Sequence, residues 1–142
     1  MDRTKIRELT FGQLYLSTFY GTDAGEECSL FLDNHDLLLD TDLLREPVSE
    51  EEKKLLMERA ETVRSLSGVL DEMINSASAN WKTSRMSRVD LSILRLAVYE
   101  ARFDDDIPLK VAINEAVELA KKYGGEESPS FINAILGKLA RE

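Results

Sequence analysis

The chain has very few of the residues on which disulfide-bonded, membrane-spanning and histidine-dependent proteins rely. Its 142 residues include one cysteine, one histidine, one tryptophan, three prolines and seven glycines. A single cysteine, Cys28, cannot form an internal disulfide and is typical of a reducing cytoplasm. No apolar run approaches the roughly 18 residues that a membrane span needs, and the N-terminus lacks the apolar stretch of a signal peptide. We therefore expect a cytoplasmic protein without a membrane segment.

Patterns for catalysis and metal binding are equally scarce. Because His35 is the only histidine, neither a histidine-based triad nor a zinc site with paired histidines can form. We expect His35 on the surface and Cys28 as a small buried side chain. The sequence has no glycine-rich phosphate loop, and its aspartates near residue 40 lack the glycine and distal glutamate of a calcium loop. The prediction is a protein that is not an enzyme and has no cofactor, no catalytic residues and no metal site.

The net charge is −9, from 18 basic and 27 acidic residues. Over the whole chain this disfavours nucleic-acid binding, because a phosphate backbone attracts lysine and arginine. The acidity is concentrated, however: residues 21–58 hold twelve acids and three bases, a net −9 within this segment. Residues 1–20 carry +1 and residues 81–102 carry +3. Net charge is therefore a poor guide to any single face of the molecule.

Apolar residues recur at steps of three and four along most of the chain, and no alternating strand pattern occurs. This spacing predicts an all-α protein with about six or seven helices, the first one capped by Thr4. One apolar stripe from Leu56 to Ala77 predicts a single long helix, which Ser49 and Glu52 open as a capping box. Gly12 lies inside the first helix, where glycine costs up to about 1 kcal/mol relative to alanine, so it predicts a close packing contact.

A serine- and alanine-rich stretch over residues 76–80 predicts the boundary between two helical subdomains, residues 1–80 and residues 81–142. Trp81 follows this boundary directly. A lone tryptophan is more often a core anchor than a platform for a ligand, so we expect Trp81 in the core.

Three sequence blocks in the C-terminal half carry a family resemblance. They cover residues 81–100, with Arg88-Val89-Asp90, then residues 107–124 and residues 128–136. In order and spacing they resemble the NusB family of transcription antitermination factors, and residues 7–15 resemble the first helix of that family. The resemblance runs from about residue 3 to residue 139 and is weak between residues 21 and 73. It implies a single NusB-like domain over residues 1–142, made of two small helical bundles packed together.

The resemblance also implies a function. Family members bind boxA-type RNA together with the ribosomal small-subunit protein NusE, and the pair joins the RNA polymerase antitermination complex and supports rRNA transcription. The residues that match the RNA-binding positions of the family are Arg3, Lys5, Arg7 and Phe131. The residues that match its NusE-binding positions are Tyr15, Asp90 and Glu127.

The chemistry of these residues is compatible with both roles. Cations on a helix can follow a phosphate track, an aromatic ring can stack on an unpaired base, and acidic residues complement a basic ribosomal protein. From the residues alone, the three cations could equally be a solvated helix end, and Phe131 a packing residue. Asp2 and Thr4 interrupt the denser arginine run of the family, so we expect RNA binding to depend strongly on the partner.

Two alternatives stay open at this point. The chain could be a helical protein-binding module without RNA contact, or a NusB-like domain fragment of an RNA methyltransferase, although no βαβ region precedes residue 142. The sequence leaves open whether the chain is a monomer or a homodimer, which RNA sequence it prefers, and what the acidic segment 21–58 does.

Overall fold

The structure is a computed structural model that describes residues 2–21, 24–38, 46–79 and 81–141. These residues form seven α-helices and one short 3₁₀ helix and contain no strand, which confirms the all-α prediction. The elements are α1 (Arg3–Tyr20), α2 (Gly25–Leu38), α3 (Glu50–Ser65), α4 (Ser67–Ala77), the 3₁₀ helix (Thr83–Arg85), α5 (Arg88–Phe103), α6 (Leu109–Tyr123) and α7 (Ser128–Ala140). Residues 22–23 and 39–45 of the acidic segment lie outside the described residues. None of the described helices is long and apolar enough to cross a membrane.

The contacts divide the chain into two compact units, Met1–Arg64 and Ser65–Glu142. The sequence placed the boundary later, after residue 80. Residues 65–80 belong to the second unit because α4 packs against α5 and α7.

The predicted single helix over residues 49–77 is wrong, because Leu66 interrupts it. Leu66 has φ −98° and ψ 3°, so α3 ends before it and α4 begins after it. The neighbours Ser65, Ser67 and Gly68 are weak helix formers, since serine competes for backbone hydrogen bonds and glycine loses more backbone entropy. A stripe with helical spacing in the sequence can therefore continue across a break between two helices.

The first unit has an apolar core shared by its three helices, formed by Leu9, Phe31, Leu32 and Leu56. The predicted close contact at Gly12 is confirmed: a Cβ atom on Gly12 would lie 2.6 Å from Cε2 of Phe31. The absence of a side chain at Gly12 is what lets the Phe31 ring pack directly on the α1 backbone.

Side chains cap the starts of α1 and α3 in the first unit. The Thr4 cap is wrong by two residues, since the Thr4 N–H donates to Oδ1 of Asp2 at 2.7 Å and Asp2 is the cap. The capping box at α3 is confirmed: the Glu52 N–H donates to Oγ of Ser49 at 3.1 Å, and the Ser49 N–H donates to Oε1 of Glu52 at 3.0 Å. The hydrogen bond that the Ser49 N–H donates to this carboxyl, followed by the contribution of the Ser49 side chain, lowers the pKa of the Glu52 carboxyl, because it favours the charged form.

The second unit is built from α5, α6 and α7, which pack against one another, with α4 against α5 and α7. The α5 helix starts at Ser87, whose Oγ accepts the Asp90 N–H at 3.1 Å. A bidentate ion pair joins α4 to α5: Nε and Nη2 of Arg95 donate to the two carboxylate oxygens of Asp71, each at 2.8 Å. The packing of these helices brings the start of α5 near the start of α7, and a groove lies between them.

Candidate RNA and partner interfaces

The three cations predicted to bind RNA lie on the first two turns of α1, but their surroundings differ. Arg3 is exposed, whereas Lys5 is 7% exposed and Arg7 5% exposed. The Lys5 ammonium donates to the backbone carbonyl of Glu46 at 2.8 Å. Of the three, Arg3 is therefore the one whose charged group is presented to solvent.

A buried histidine shares that carbonyl with Lys5. The prediction of a surface histidine is wrong, because the His35 side chain is completely buried. Its Nδ1 lies 2.9 Å from the carbonyl oxygen of Leu32 and its Nε2 lies 3.1 Å from that of Glu46. His35 and Lys5 together hold the start of the segment leading to α3 against α1 and α2. His35 is therefore a buried polar residue of the core, which the sequence around it did not indicate.

The predicted buried cysteine is confirmed, and it belongs to a polar contact between all three helices. Cys28 is fully buried; its Sγ donates to the carbonyl of Gln13 at 3.7 Å and accepts from Nη1 of Arg64 at 3.8 Å. The same Arg64 nitrogen donates to Oγ of Ser17 at 3.1 Å. Burial raises the pKa of the Cys28 thiol, and the nearby Arg64 guanidinium only partly opposes this effect.

Tyr15, a predicted NusE contact, lies in a ladder of aromatic rings along α1. Its ring centroid is 6.3 Å from that of Phe11 and 5.2 Å from that of Phe19, the latter in an edge-on arrangement. Residues four apart face the same side of a helix, which explains the ladder. Tyr15 is half-buried, and Phe19 at the end of the ladder is 53% exposed.

The other three predicted site residues come together in the second unit. Asp90, Glu127 and Phe131 line one groove of about 750 Å³ between the start of α5 and the start of α7, which we call the α5–α7 groove. Trp81 lines it as well, with its ring centroid 6.5 Å from that of Phe131 at an interplanar angle of 74°. Thus one surface contains a residue predicted for RNA and two predicted for the protein partner.

The core position predicted for Trp81 is wrong. Its side chain is 51% exposed, and its indole Nε1–H donates to the backbone carbonyl of Arg85 at 3.3 Å. The prediction failed because a lone tryptophan is usually recruited to a core, whereas here the ring packs edge-on against one aromatic neighbour beside a groove. Its position directly after the serine- and alanine-rich stretch, in the connection between α4 and the short 3₁₀ helix, was the available signal for an exposed location.

The groove carries an acidic rim. Asp90, Glu126 and Glu127 contribute three carboxylates, and Arg85 contributes one guanidinium. Oδ1 of Asp90 is shielded from solvent and has no hydrogen-bond partner among the described residues. Such an arrangement favours a cationic group and disfavours a phosphate. Among the described residues, no group of three or more histidine, cysteine or acidic side chains is placed to hold a metal ion.

Comparison with known proteins decides the family. The model of the NusB family matches residues 4–141. The chain belongs to the NusB family. The transcription antitermination protein NusB of Agathobacter rectalis is 45% identical over 141 residues, covering 99% of this chain and 100% of the relative. Its counterpart in Lachnoclostridium phytofermentans is 44% identical, with 98% of each chain covered.

Solved structures agree with this family. The structure of T. maritima NusB is 32% identical and superposes with a TM-score of 0.73, covering 100% of this chain and 92% of that one. A structure of the antitermination factors NusB and NusE in complex with dsRNA superposes with a TM-score of 0.66, covering 98% of this chain and 96% of that one. At 21% identity, this second likeness concerns the NusB fold alone.

Proposed function

We propose that this chain is a transcription antitermination factor that binds boxA-type RNA together with the ribosomal protein NusE and joins the RNA polymerase antitermination complex. The observation that carries the proposal is the family match over residues 4–141, with a relative of that function 45% identical along its whole length. In this role the protein is a non-enzymatic adaptor, acts in the cytoplasm and supports rRNA transcription.

The RNA contact starts from the exposed end of α1. Arg3 lies in the first turn, where its guanidinium is free to approach a phosphate. Lys5 and Arg7 add to the local positive charge, although Lys5 already donates to the Glu46 carbonyl. With one exposed cation among these three, we expect weak RNA binding by the chain alone and stronger binding with NusE present.

The protein contact uses acidic and aromatic residues. Asp90 and Glu127 line the α5–α7 groove, and Tyr15 lies in the aromatic ladder of α1. Carboxylates suit a basic ribosomal protein, since opposite charges steer association and suppress wrong partners.

The decisive experiment is a binding titration with fluorescently labelled boxA RNA and a scrambled RNA of equal length, each with and without NusE, at several salt concentrations. We expect NusE to raise the affinity for boxA more than for the scrambled RNA, with affinity falling as salt rises. If boxA binds no better than the scrambled sequence when NusE is present, the proposed function is wrong.

A second candidate is a protein-binding module that has lost RNA contact. The observation in its favour is the burial of Lys5 and Arg7, which leaves Arg3 as the exposed member of the three matched cations. The same titration separates the two: this alternative requires tight binding of NusE with no added affinity for boxA. A triple alanine variant of the three cations would then leave RNA affinity unchanged.

A further inference from the structure

The first unit has a groove of its own between α2 and α3, which we call the α2–α3 groove. Its volume is about 710 Å³, and its lining includes Ser29 of α2 and Met57 of α3. Met57 also packs against the apolar core of the unit. An ion pair joins the two helices at the groove, with Nζ of Lys53 3.0 Å from Oδ1 of Asp33. The two walls are therefore connected before any partner binds.

Each wall exposes a leucine beside the groove. Leu30 of α2 is 59% exposed and Leu55 of α3 is 64% exposed, the two highest values among the large apolar side chains that the structure describes. They directly follow Ser29 and Lys54, both of which line the groove. Single exposed leucines are common on protein surfaces, but two of them beside one groove form an apolar contact surface.

Carboxylates flank both leucines along their helices. Residues three or four positions apart face the same side of a helix, so each leucine shares its face with an acid one turn before it and another one turn after it. These acids are Glu26 and Asp33 around Leu30, and Glu51 and Glu58 around Leu55. Of the two lysines in the lining, Lys53 is already paired with Asp33. The charge around the leucines is therefore mainly negative, which favours a basic partner and disfavours a phosphate backbone.

We propose that the α2–α3 groove receives an amphipathic helix of a protein partner, with leucine-sized residues on its contacting face and lysine or arginine along its edges. A helix fits because its apolar face can lie between two helices and contact successive turns of each. Basic edges fit because they would meet the acids that flank the leucines. Met57 suits such a contact, since its flexible thioether adapts to the shape of a partner.

The inference goes beyond the proposed function, because it requires neither boxA RNA nor NusE. It also gives a role to four acids of the segment 21–58, whose purpose the sequence left open.

The first test is a fluorescence anisotropy titration of the full chain against synthetic peptides of 16 residues, the length of α3. One peptide has leucine on one helix face and lysine along both edges. A second has the same composition in an order that forms no leucine face, and a third has glutamate in place of lysine. We expect the first peptide to bind about tenfold more tightly than either of the others, because only it combines an apolar face with opposite charge.

Leu55→Ser tests the apolar part of the contact. It should raise the Kd of the lysine-edged peptide about tenfold, because the leucine loses the apolar surface that it would bury against the peptide. The matched control is Val69→Ser in α4, where the valine is 49% exposed and lies outside the groove. This control should stay within about twofold of the wild type.

A charge reversal tests the ionic part of the contact. The double variant of Glu51→Lys and Glu58→Lys should bind the glutamate-edged peptide more tightly than the lysine-edged one, the reverse of the wild-type preference. The matched control combines Glu72→Lys with Asp105→Lys, which changes the net charge equally at exposed positions outside the groove. This control should keep the wild-type preference.

NusE and a second copy of the chain are tested as competing occupants. Saturating NusE should leave the Kd of the lysine-edged peptide within about twofold, as expected for separate surfaces. The inference is overturned if NusE displaces the peptide, or if sedimentation velocity shows a dimer that Leu55→Ser dissociates. It is also overturned if the rearranged peptide binds as tightly as the lysine-edged one, or if the groove variants match their controls. Since none of these results depends on boxA, the inference and the proposed function fail separately.

Discussion

Lys5→Met tests whether the second cation of α1 serves the fold or the RNA. The Lys5 ammonium donates to the Glu46 carbonyl at 2.8 Å, and Lys5 is 7% exposed. The contact is therefore a buried hydrogen bond from a charged donor. Such a bond contributes about 1.5–3 kcal/mol, and methionine keeps the apolar stem while removing the donor. For a chain of this size we expect the Tm to fall by roughly 5–10 °C.

The matched variant is Arg3→Met, which removes an exposed cation two residues away. Surface substitutions of this kind change stability by about 0.5 kcal/mol or less, so its Tm should stay near that of the wild type. Arg3→Met should instead affect RNA binding: one lost phosphate contact on a single strand makes the negative slope of log K against log salt shallower by about 0.7. Lys5→Met should leave that slope unchanged.

The assays are thermal unfolding by circular dichroism and RNA anisotropy titrations with NusE at four or more salt concentrations. The reasoning is refuted if Lys5→Met makes the negative salt slope shallower by about 0.7 while its Tm stays constant. That result would mean that the ammonium leaves the Glu46 carbonyl for a phosphate and that the fold does not depend on their bond.

Two further predictions concern the first unit. Gly12→Ala should lower the free energy of unfolding by about 1–2 kcal/mol in a denaturant titration, because overpacking against the buried Phe31 ring outweighs the better helix propensity of alanine. Cys28 should react slowly with iodoacetamide in the native protein, because burial raises the thiol pKa and hides the sulfur. For the same reason the unfolded chain loses the thiol proton first as pH rises, so stability should decline on the alkaline side, above the ordinary thiol pKa.

Controls for both predictions lie in the chain itself. Gly137 of α7 has room for a side chain: outside the local backbone, a Cβ atom added there would lie 3.8 Å from Nη1 of Arg141. Gly137→Ala should therefore stabilise the protein by about 0.5–1 kcal/mol, the opposite sign to Gly12→Ala. For Cys28, the same reagent in denaturant sets the full rate, and equal rates in the two conditions would contradict its burial.

Local patterns in the sequence predicted the features that depend on a few neighbouring residues. The capping box of Ser49 with Glu52 is one example, because a cap is complete within one helical turn. The close contact at Gly12 was also predictable, since a glycine inside a helix needs a packing reason.

Features that depend on distant parts of the chain were not predictable in this way. His35 is buried where the Glu46 carbonyl of another segment meets its ring, and the half-exposed Trp81 ring packs edge-on against Phe131 of α7. The joining of Asp90 with Glu127 and Phe131 follows from the packing of the starts of α5 and α7, which spacing alone does not contain. The resemblance supplied those three positions, and the structure supplied their common groove.

The shared carbonyl of Glu46 has a consequence for how this sequence can vary through evolution. The His35 ring faces the carbonyl oxygens of Leu32 and Glu46, through Nδ1 and Nε2 respectively. The Lys5 ammonium donates to the same Glu46 carbonyl, so two side chains from different helices meet at one backbone oxygen. We expect substitutions at these two positions to be non-additive, so that lineages change them together and rarely one at a time.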